Sequence, residues 1–446
     1  MGAAGGNPRS EFSTVLSSTM SGTVVRWATK HGFARLGISA AARKGDIQAR
    51  YFVDPEVRAD PYPFYDRIRE QGPLVRGSLM WATARHDVAS AVLRSDAFGV
   101  GFSDRRLPAP VALLWRLGRR TTPIGPVDPP SMLVTDPPDH TRYRRLVAKV
   151  FTARAIEGLR PKIEQTAQEL LSDLGPRFDL VERYAALLPV TVIADILGVP
   201  MAMRRQFLDW GTMAAPTLDL GLTFRQYRRT EIGIRRSNAW MRGHFERLRA
   251  RPGDDLLSQL VHLEGEQLTD DELLATAGLL LAAGFETTVN LLGTGAALLM
   301  THPDELGKLR DDPGRWRGAV EEMLRYDSPV QNTARVCQRP VEIAGVRLQP
   351  GHVVVPMLGG ANRDPAVFDD PGRFDVTRPN ARDHLSFSGG VHYCLGAALA
   401  RLEGEIGLKA LFDRHPGLVI DGTPRRRRTR VLRGYASLPV AAPVTV

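Results

Sequence analysis

The chain has 446 residues, 43% of them hydrophobic, and a formal net charge of +10 from 59 Lys and Arg against 49 Asp and Glu. That apolar share is enough for a large buried core. Two cysteines, Cys337 and Cys394, exclude a disulfide framework and fit a reducing, cytoplasmic setting. In chain order, residues 1–45 are expected to be an N-terminal extension, partly disordered or tag-derived, with Met20 as an alternative start and no signal-peptide pattern. Residues 46–446 are expected to form one domain, because no linker divides them. Apolar residues at helical spacing predict helices over 61–71, 84–95, 140–152, 153–174 and 182–197, the last stopped by Gly198 and Pro200. Further helices are predicted over 204–215, 227–251, 304–310 and 313–326. Strand signals are few: an early hairpin over 74–82, and a second pairing 341–346 with 353–357 through Gln349-Pro350-Gly351. The irregular stretch 99–130, with Phe102 and Trp115, reads as a cover over something apolar, and 362–380 as a meander. The fold class is mainly α, with a small β-rich region.

A long helix is predicted to start at Thr269, where Thr269 and Glu272 match a capping box. From 275 to 300 its only charge is Glu286. A charge at the centre of a bilayer is costly, so this segment is expected to be a buried core helix and not a membrane span. The basic run Arg425 to Arg428, followed by Arg430, is expected to be a solvated loop between strands. No helix-turn-helix, zinc finger or aromatic platform accompanies it, so nucleic acid is not an expected partner.

The sharpest local pattern is Phe387-Ser388-Gly389-Gly390-Val391-His392-Tyr393-Cys394-Leu395-Gly396. A glycine-rich turn followed by an Ala- and Leu-rich helix places Cys394 at a helix N-terminus, where backbone N–H groups and the helix dipole lower a thiol pKa. Zinc would need a second pair of ligands, and the sequence has no second cysteine pair nearby. A nucleophilic cysteine would need a base and oxyanion donors. A buried, inert cysteine suits Cys337 but leaves the glycines, His392 and Phe387 around Cys394 unexplained.

The string Phe-x-x-Gly-x-His-x-Cys-x-Gly, at Phe387, Gly390, His392, Cys394 and Gly396, resembles the haem-binding loop of the cytochrome P450 family. The resemblance extends over about residues 50–440. It implies the cytochrome P450 fold, a large helical domain with a long central helix, and haem b (iron protoporphyrin IX) held by the Cys394 thiolate. Ala283-Gly284-Phe285-Glu286-Thr287-Thr288 resembles the family's oxygen-binding groove, with Gly284 easing close approach, Thr287 holding water or oxygen, and Glu286 relaying protons. Glu322 and Arg325 resemble its structural Glu-x-x-Arg, and Arg373 in Pro371-Gly372-Arg373-Phe374 is expected to complete that network. Arg335, the one-face pair His140 and Arg144, and His392 are expected to hold the haem propionates. Leu280, Ala283, Val330 and Gln331 are expected to line the substrate pocket. More narrowly, Gly284 to Gly293, Ala361 to Pro365 and Thr429 to Gly434 resemble the soluble actinobacterial branch and the mycobacterial family numbered 140.

The implied activity is that of a monooxygenase: one atom of O2 enters an apolar or amphipathic small molecule and the other leaves as water. No nicotinamide or flavin fingerprint is present; Gly293-Thr294-Gly295 falls inside the apolar helix and not after a strand. Electrons are therefore expected from a separate ferredoxin and ferredoxin reductase, with Arg142 or Arg145 on a basic docking face. The rival readings are a haem protein that binds ligand without turnover, and a nucleic-acid binder using residues 425–430.

Overall fold

A computed structural model describes residues 22–101, 123–263 and 267–442. Most of the expected cover over 99–130, including Phe102 and Trp115, lies outside the described residues. The architecture is mainly helical. The helices that position the site are α1 (Phe33–Arg43), α2 (His86–Arg94), α3 (Asp139–Ala148), α4 (Leu187–Ile196), α5 (Arg204–Ala214), α6 (Phe224–Ala250), α7 (Asp270–Thr301), α8 (Trp316–Tyr326) and α9 (Ala397–Arg414).

Helix α7 runs through the centre. Its start is the expected capping box, with the Glu272 N–H donating to Thr269 Oγ1 and the Thr269 N–H to Glu272 Oε2 at 2.9 Å. The helix is long and apolar enough to cross a membrane by length and composition, yet 67% of its most apolar window is buried inside the protein. Leu and Ala side chains around nearly its whole circumference join the main core with α4, α8 and α9, so it is a core helix.

The sheet content is small, as expected. Five short strands, β1 (Val75–Arg76), β2 (Trp81–Thr83), β3 (Phe98–Gly99), β4 (Arg335–Cys337) and β5 (Val353–Pro356), form one sheet in the order β1-β2-β5-β4-β3, parallel only between β2 and β5. The early hairpin appears as β1 with β2. The second expected hairpin does not form. Val341–Ile343 pairs instead with Val346–Leu348, because Ala344 and Gly345 both take positive φ (50° and 77°) and close a two-residue turn. Freed from that pairing, β5 carries its apolar residues into the five-stranded sheet. Near the C-terminus, β6 (Arg425–Arg426) pairs with β7 (Tyr435–Ser437).

Residues 22–45, expected as an extension ahead of residue 46, are largely helical and are held against the body. Arg26 forms a buried ion pair with Glu231 of α6, and Trp27 Nε1 donates to the Leu222 carbonyl at 2.8 Å. Lys30 Nζ pairs with Asp128 at 2.5 Å.

Candidate active site

One large cavity, of about 1220 Å³, opens against α7 and the Cys394 loop. Its floor is the sequence string that carried the functional reading. Ser388 (φ 63°) and Gly390 (φ 66°) are both left-handed, and at Gly390 a Cβ would lie 2.4 Å from the Leu93 carbonyl oxygen of α2. Only glycine fits there. The loop closes as the Cys394 N–H donates to the Phe387 carbonyl at 2.9 Å. Cys394 is exposed, but to the cavity, with protein on every other side. That enclosure pushes its thiol pKa up, outweighing the lowering by the Gly396 backbone and by Arg144 and Arg401. The lowered pKa anticipated from the helix N-terminus is thus overridden by desolvation. Cys337, by contrast, is fully buried in β4, its sulfur donating to the Arg339 carbonyl.

Four basic side chains from three separate elements converge on the same cavity: His140 and Arg144 from α3, Arg335 from β4, and His392 from the Cys394 loop. The His140 and His392 rings lie 4.3 Å apart. Burial, with His392 and Arg144 nearby, pushes His140 down to about 4, so it is neutral at pH 7. Arg335 is buried, donates to Ser388 Oγ at 3.2 Å, and is lowered to about 10 by desolvation while remaining charged. Asp136 lies beside this group. It accepts from the Val100 and Gly101 N–H groups and sits 3.9 Å from His392 Nε2, and these contacts hold its carboxyl below the usual range despite partial burial.

On α7, Ala283, Gly284, Glu286 and Thr287 border the cavity. Thr287 Oγ1 donates back to the Ala283 carbonyl at 3.0 Å. Gly284 is required by packing as well: a Cβ there would lie 2.8 Å from Ile193 Cγ1 of α4. Glu286 is buried, and its pKa is raised by desolvation against the pull of Arg427. Arg427 Nη1 lies 2.5 Å from Glu286 Oε1, a close charge contact that lacks hydrogen-bond alignment. The basic run is therefore not a solvated loop. Arg427 reaches the central helix, Arg426 pairs with Asp327 at 3.2 Å, and the Arg430 backbone N–H donates to Asp219.

Leu280, Ala283 and Val330 line the cavity as expected, as do Phe387 and Gly396. Gln331 does not. It is buried elsewhere, accepting from Tyr65 Oη at 2.9 Å and donating to the Ser328 carbonyl at 2.7 Å, while its neighbour Asn332 faces the cavity. Those two hydrogen bonds hold the Gln331 side chain away from the cavity.

Behind the floor, Arg325 and Glu322 are fully buried and joined in a bidentate pair at 2.6 and 2.8 Å. Arg325 also donates to the Asn362, Pro371 and Arg373 carbonyls. The expected third member is corrected here: Arg373 is exposed and contributes only its carbonyl oxygen. Arg378 supplies the side chain, at 3.2 Å from Glu322 Oε2, and donates to the Asp369 carbonyl at 2.6 Å. The spacing Phe374-Asp375-x-x-Arg378 was the missed signal. Two further groups were missed. Arg401 of α9 lies over the Phe387 ring and donates to Glu321, which Arg401 and His384 hold down to about 2 against burial. Glu403, a lone acid on the apolar face of α9, is fully buried beside the cavity and raised to about 8 by desolvation, with Thr288 pulling the other way.

The family model for Cytochrome P450 matches residues 223–315 and 316–428. The chain is 52% identical over 425 residues to cytochrome P450 140 of Mycobacterium tuberculosis, covering 93% of this chain and 97% of that protein. It is 38% identical over 405 residues to the cytochrome P450 monooxygenase PikC of Streptomyces venezuelae, covering 86% and 91%. Among solved structures, P450BioI in complex with a hexadec-9Z-enoic acid-ligated acyl carrier protein matches with a TM-score of 0.80 at 35% identity, covering 87% of this chain and 100% of that one. The residues present fit the family's prosthetic group: a thiol facing into a large cavity, with cationic and imidazole donors gathered where two carboxylates would need them. The chain belongs to the cytochrome P450 family and is an oxidoreductase of the monooxygenase type that carries haem b on a cysteine thiolate.

Proposed function

We propose that this protein inserts one atom of O2 into an apolar or amphipathic small molecule in the cavity between α7 and the Cys394 loop, using electrons from a separate ferredoxin and ferredoxin reductase. The observation that carries the reading is the single cavity shared by Cys394, the basic group His140, Arg144, Arg335 and His392, and the Glu286–Thr287 pair. Haem, when bound, supplies the redox chemistry and O2 activation, favoured by thiolate donation. The chain's own residues do the rest. Cys394 would hold the iron; Arg144 and Arg335 would meet the propionates as charged donors, and His140, neutral at pH 7, and His392 would offer ring N–H groups to them. Thr287 Oγ1 is a hydroxyl positioned to give up its bond to the Ala283 carbonyl and donate to oxygen. Glu286 renews that proton from the Arg427 side. Leu280, Ala283 and Val330 keep the cavity apolar and exclude bulk water from it.

The electron donor docks on the basic surface around α3. Arg142, tied to Glu272, and exposed Arg145 both lie on this helix and contribute to its basic surface. Residues 22–442 act as one working unit in the cytoplasm. The test is a screen of apolar compounds for the Soret shift that accompanies displacement of iron-bound water, followed by turnover with ferredoxin and reductase. Product formation coupled to O2 uptake supports the reading. Ligand binding with no O2 uptake under reducing conditions would favour the rival, a haem protein that binds without turnover. Cys394→Ala should bind no haem through sulfur and lose all oxidation.

A further inference from the structure

Arg401 of α9 takes no part in the haem contacts or the proton relay proposed above, yet it is held from three sides. Its guanidinium lies over the Phe387 ring, 4.4 Å from the centroid. Nε and Nη2 donate to the two oxygens of Glu321 on α8 at 2.8 and 3.2 Å, and Nη1 donates to Tyr393 Oη at 3.2 Å. Glu321 is fixed in turn by His384. The Ser386 N–H donates to His384 Nδ1 at 3.1 Å, so Nε2 carries the ring proton and donates to Glu321 at 3.0 Å. Burial keeps that imidazole neutral, and Arg382, 3.8 Å from Glu321, is exposed. One buried carboxylate therefore faces one firmly held guanidinium. Both residues that Arg401 meets on its other sides belong to the Cys394 loop. Tyr393 precedes the cysteine, and the Phe387 carbonyl accepts the Cys394 N–H at 2.9 Å. Among the described residues two charges act on the Cys394 sulfur, those of Arg144 and Arg401, and Glu321 is not one of them. Arg144 borders the cavity, where a propionate would meet it. Arg401 is the cation left for the sulfur.

We propose that Arg401 is a positioning residue for electron entry: stacked on Phe387 and held by Glu321 and Tyr393, its fixed charge raises the reduction potential of an iron bound at Cys394. The step concerned is the one-electron reduction of ferric to ferrous iron, with the electron supplied by the donor protein and no bond made or broken in the chain. Reduction adds negative charge at the iron and its sulfur, and a neighbouring cation stabilises that charge. Glu321 acts in the opposite sense: it fixes the cation in place and moderates its field. His384 keeps Glu321 oriented without adding a charge of its own. The inference rests on the monooxygenase reading for its iron and its donor, but the potential is measured without substrate or turnover.

The test is a redox titration of the full-length, substrate-free holoprotein with dithionite and mediator dyes, read from the Soret band beside the ferrous–CO spectrum. Arg401→Met removes the charge and keeps an apolar side chain on Phe387. At a fixed solution potential its ferrous-to-ferric ratio should fall about fivefold. Glu321→Gln removes the opposing charge and keeps polar partners for Arg401 and His384, so its ratio should rise, by about twofold. Arg401→Lys retains the charge and should recover most of the loss seen in Arg401→Met. A clamp with a structural role alone would move Arg401→Met and Glu321→Gln in the same direction, and that result would overturn the proposal. So would wild-type potentials in both variants. Should Arg401→Met fail to retain haem, the sign in Glu321→Gln decides: a rise supports the proposal, and a fall or no change rejects it. Wild type lacking the ferrous–CO band of a thiolate-bound iron would reject the underlying reading along with this one. Unmoved potentials in proteins that show the band would reject only the role of Arg401.

Discussion

Glu286 and Arg427 are 141 positions apart in the sequence and in contact in the fold. A buried carboxylate needs a partner, and the sequence showed the need without naming who meets it. Removing one member leaves the other charged and desolvated, so Arg427→Met should cost about 3–5 kcal/mol in guanidinium unfolding, and adding Glu286→Gln should restore most of it. A cycle with no coupling would mean the two are neighbours without interaction. Glu403 makes a separate pH prediction. Its folded pKa, about 8, lies above the ordinary value of 4.5, so the folded state holds a proton that the unfolded chain releases. The stabilisation from that proton is complete below about pH 4.5 and fades as pH rises through 8, a span worth about 4–5 kcal/mol. Glu403→Gln should flatten the wild-type fall in stability between pH 5 and 8, read from thermal midpoints of the holoprotein. Both residues show the limit of local reading. Cys394, His392 and Phe387 were legible because their spacing is short and unusual, and so was Arg325 three residues from Glu322, whereas Arg427 beside Glu286 and Arg378 beside Glu322 sit on remote segments.

At the scale of elements, the periodic helices were read well, because their apolar faces repeat over many residues. Helix α7 was legible in both its start and its burial, and the early hairpin held. The strands after residue 340 were misassigned because two turn signals compete, Ala344-Gly345 and Gln349-Pro350-Gly351; the tighter turn, with two positive φ angles, takes the hairpin. Arg373 and Gln331 failed for a related reason: each lies one or a few positions from the residue that does the work, in segments without periodicity to fix which way a side chain points. The Cys394 loop allows a sharper expectation. Because a Cβ at Gly390 collides with the Leu93 carbonyl and the backbone there is left-handed, Gly390→Ala should displace the loop from α2. Haem retained per protein after gel filtration should drop severalfold, with helix content unchanged. Full retention would show that the loop has slack the packing does not reveal.

The whole molecule is where the boundary expected at residue 46 matters. Arg26 crosses it to neutralise Glu231, and Trp27 and Lys30 cross it to Leu222 and Asp128. A chain starting at residue 46 should be destabilised by about 1–3 kcal/mol at Glu231, which loses the buried Arg26 and keeps its contact with Arg235 at 2.7 Å, and Glu231→Gln in that chain should recover part of the loss. A truncated chain as stable as the full one would show the segment to be an independent tail. The cavity draws on residues from Lys30 to Leu432, but its two ends are held by different means. The end with Cys394 is locked by the fully buried Arg325–Glu322 pair and by Arg378 against it, where a single change is severe. The outer end is built on surface segments tied down by a few contacts, where substitutions away from those contacts are mild. Mutational tolerance is therefore graded along the cavity, so descendants of this sequence can drift in what they accept while the oxidising centre stays under strict selection.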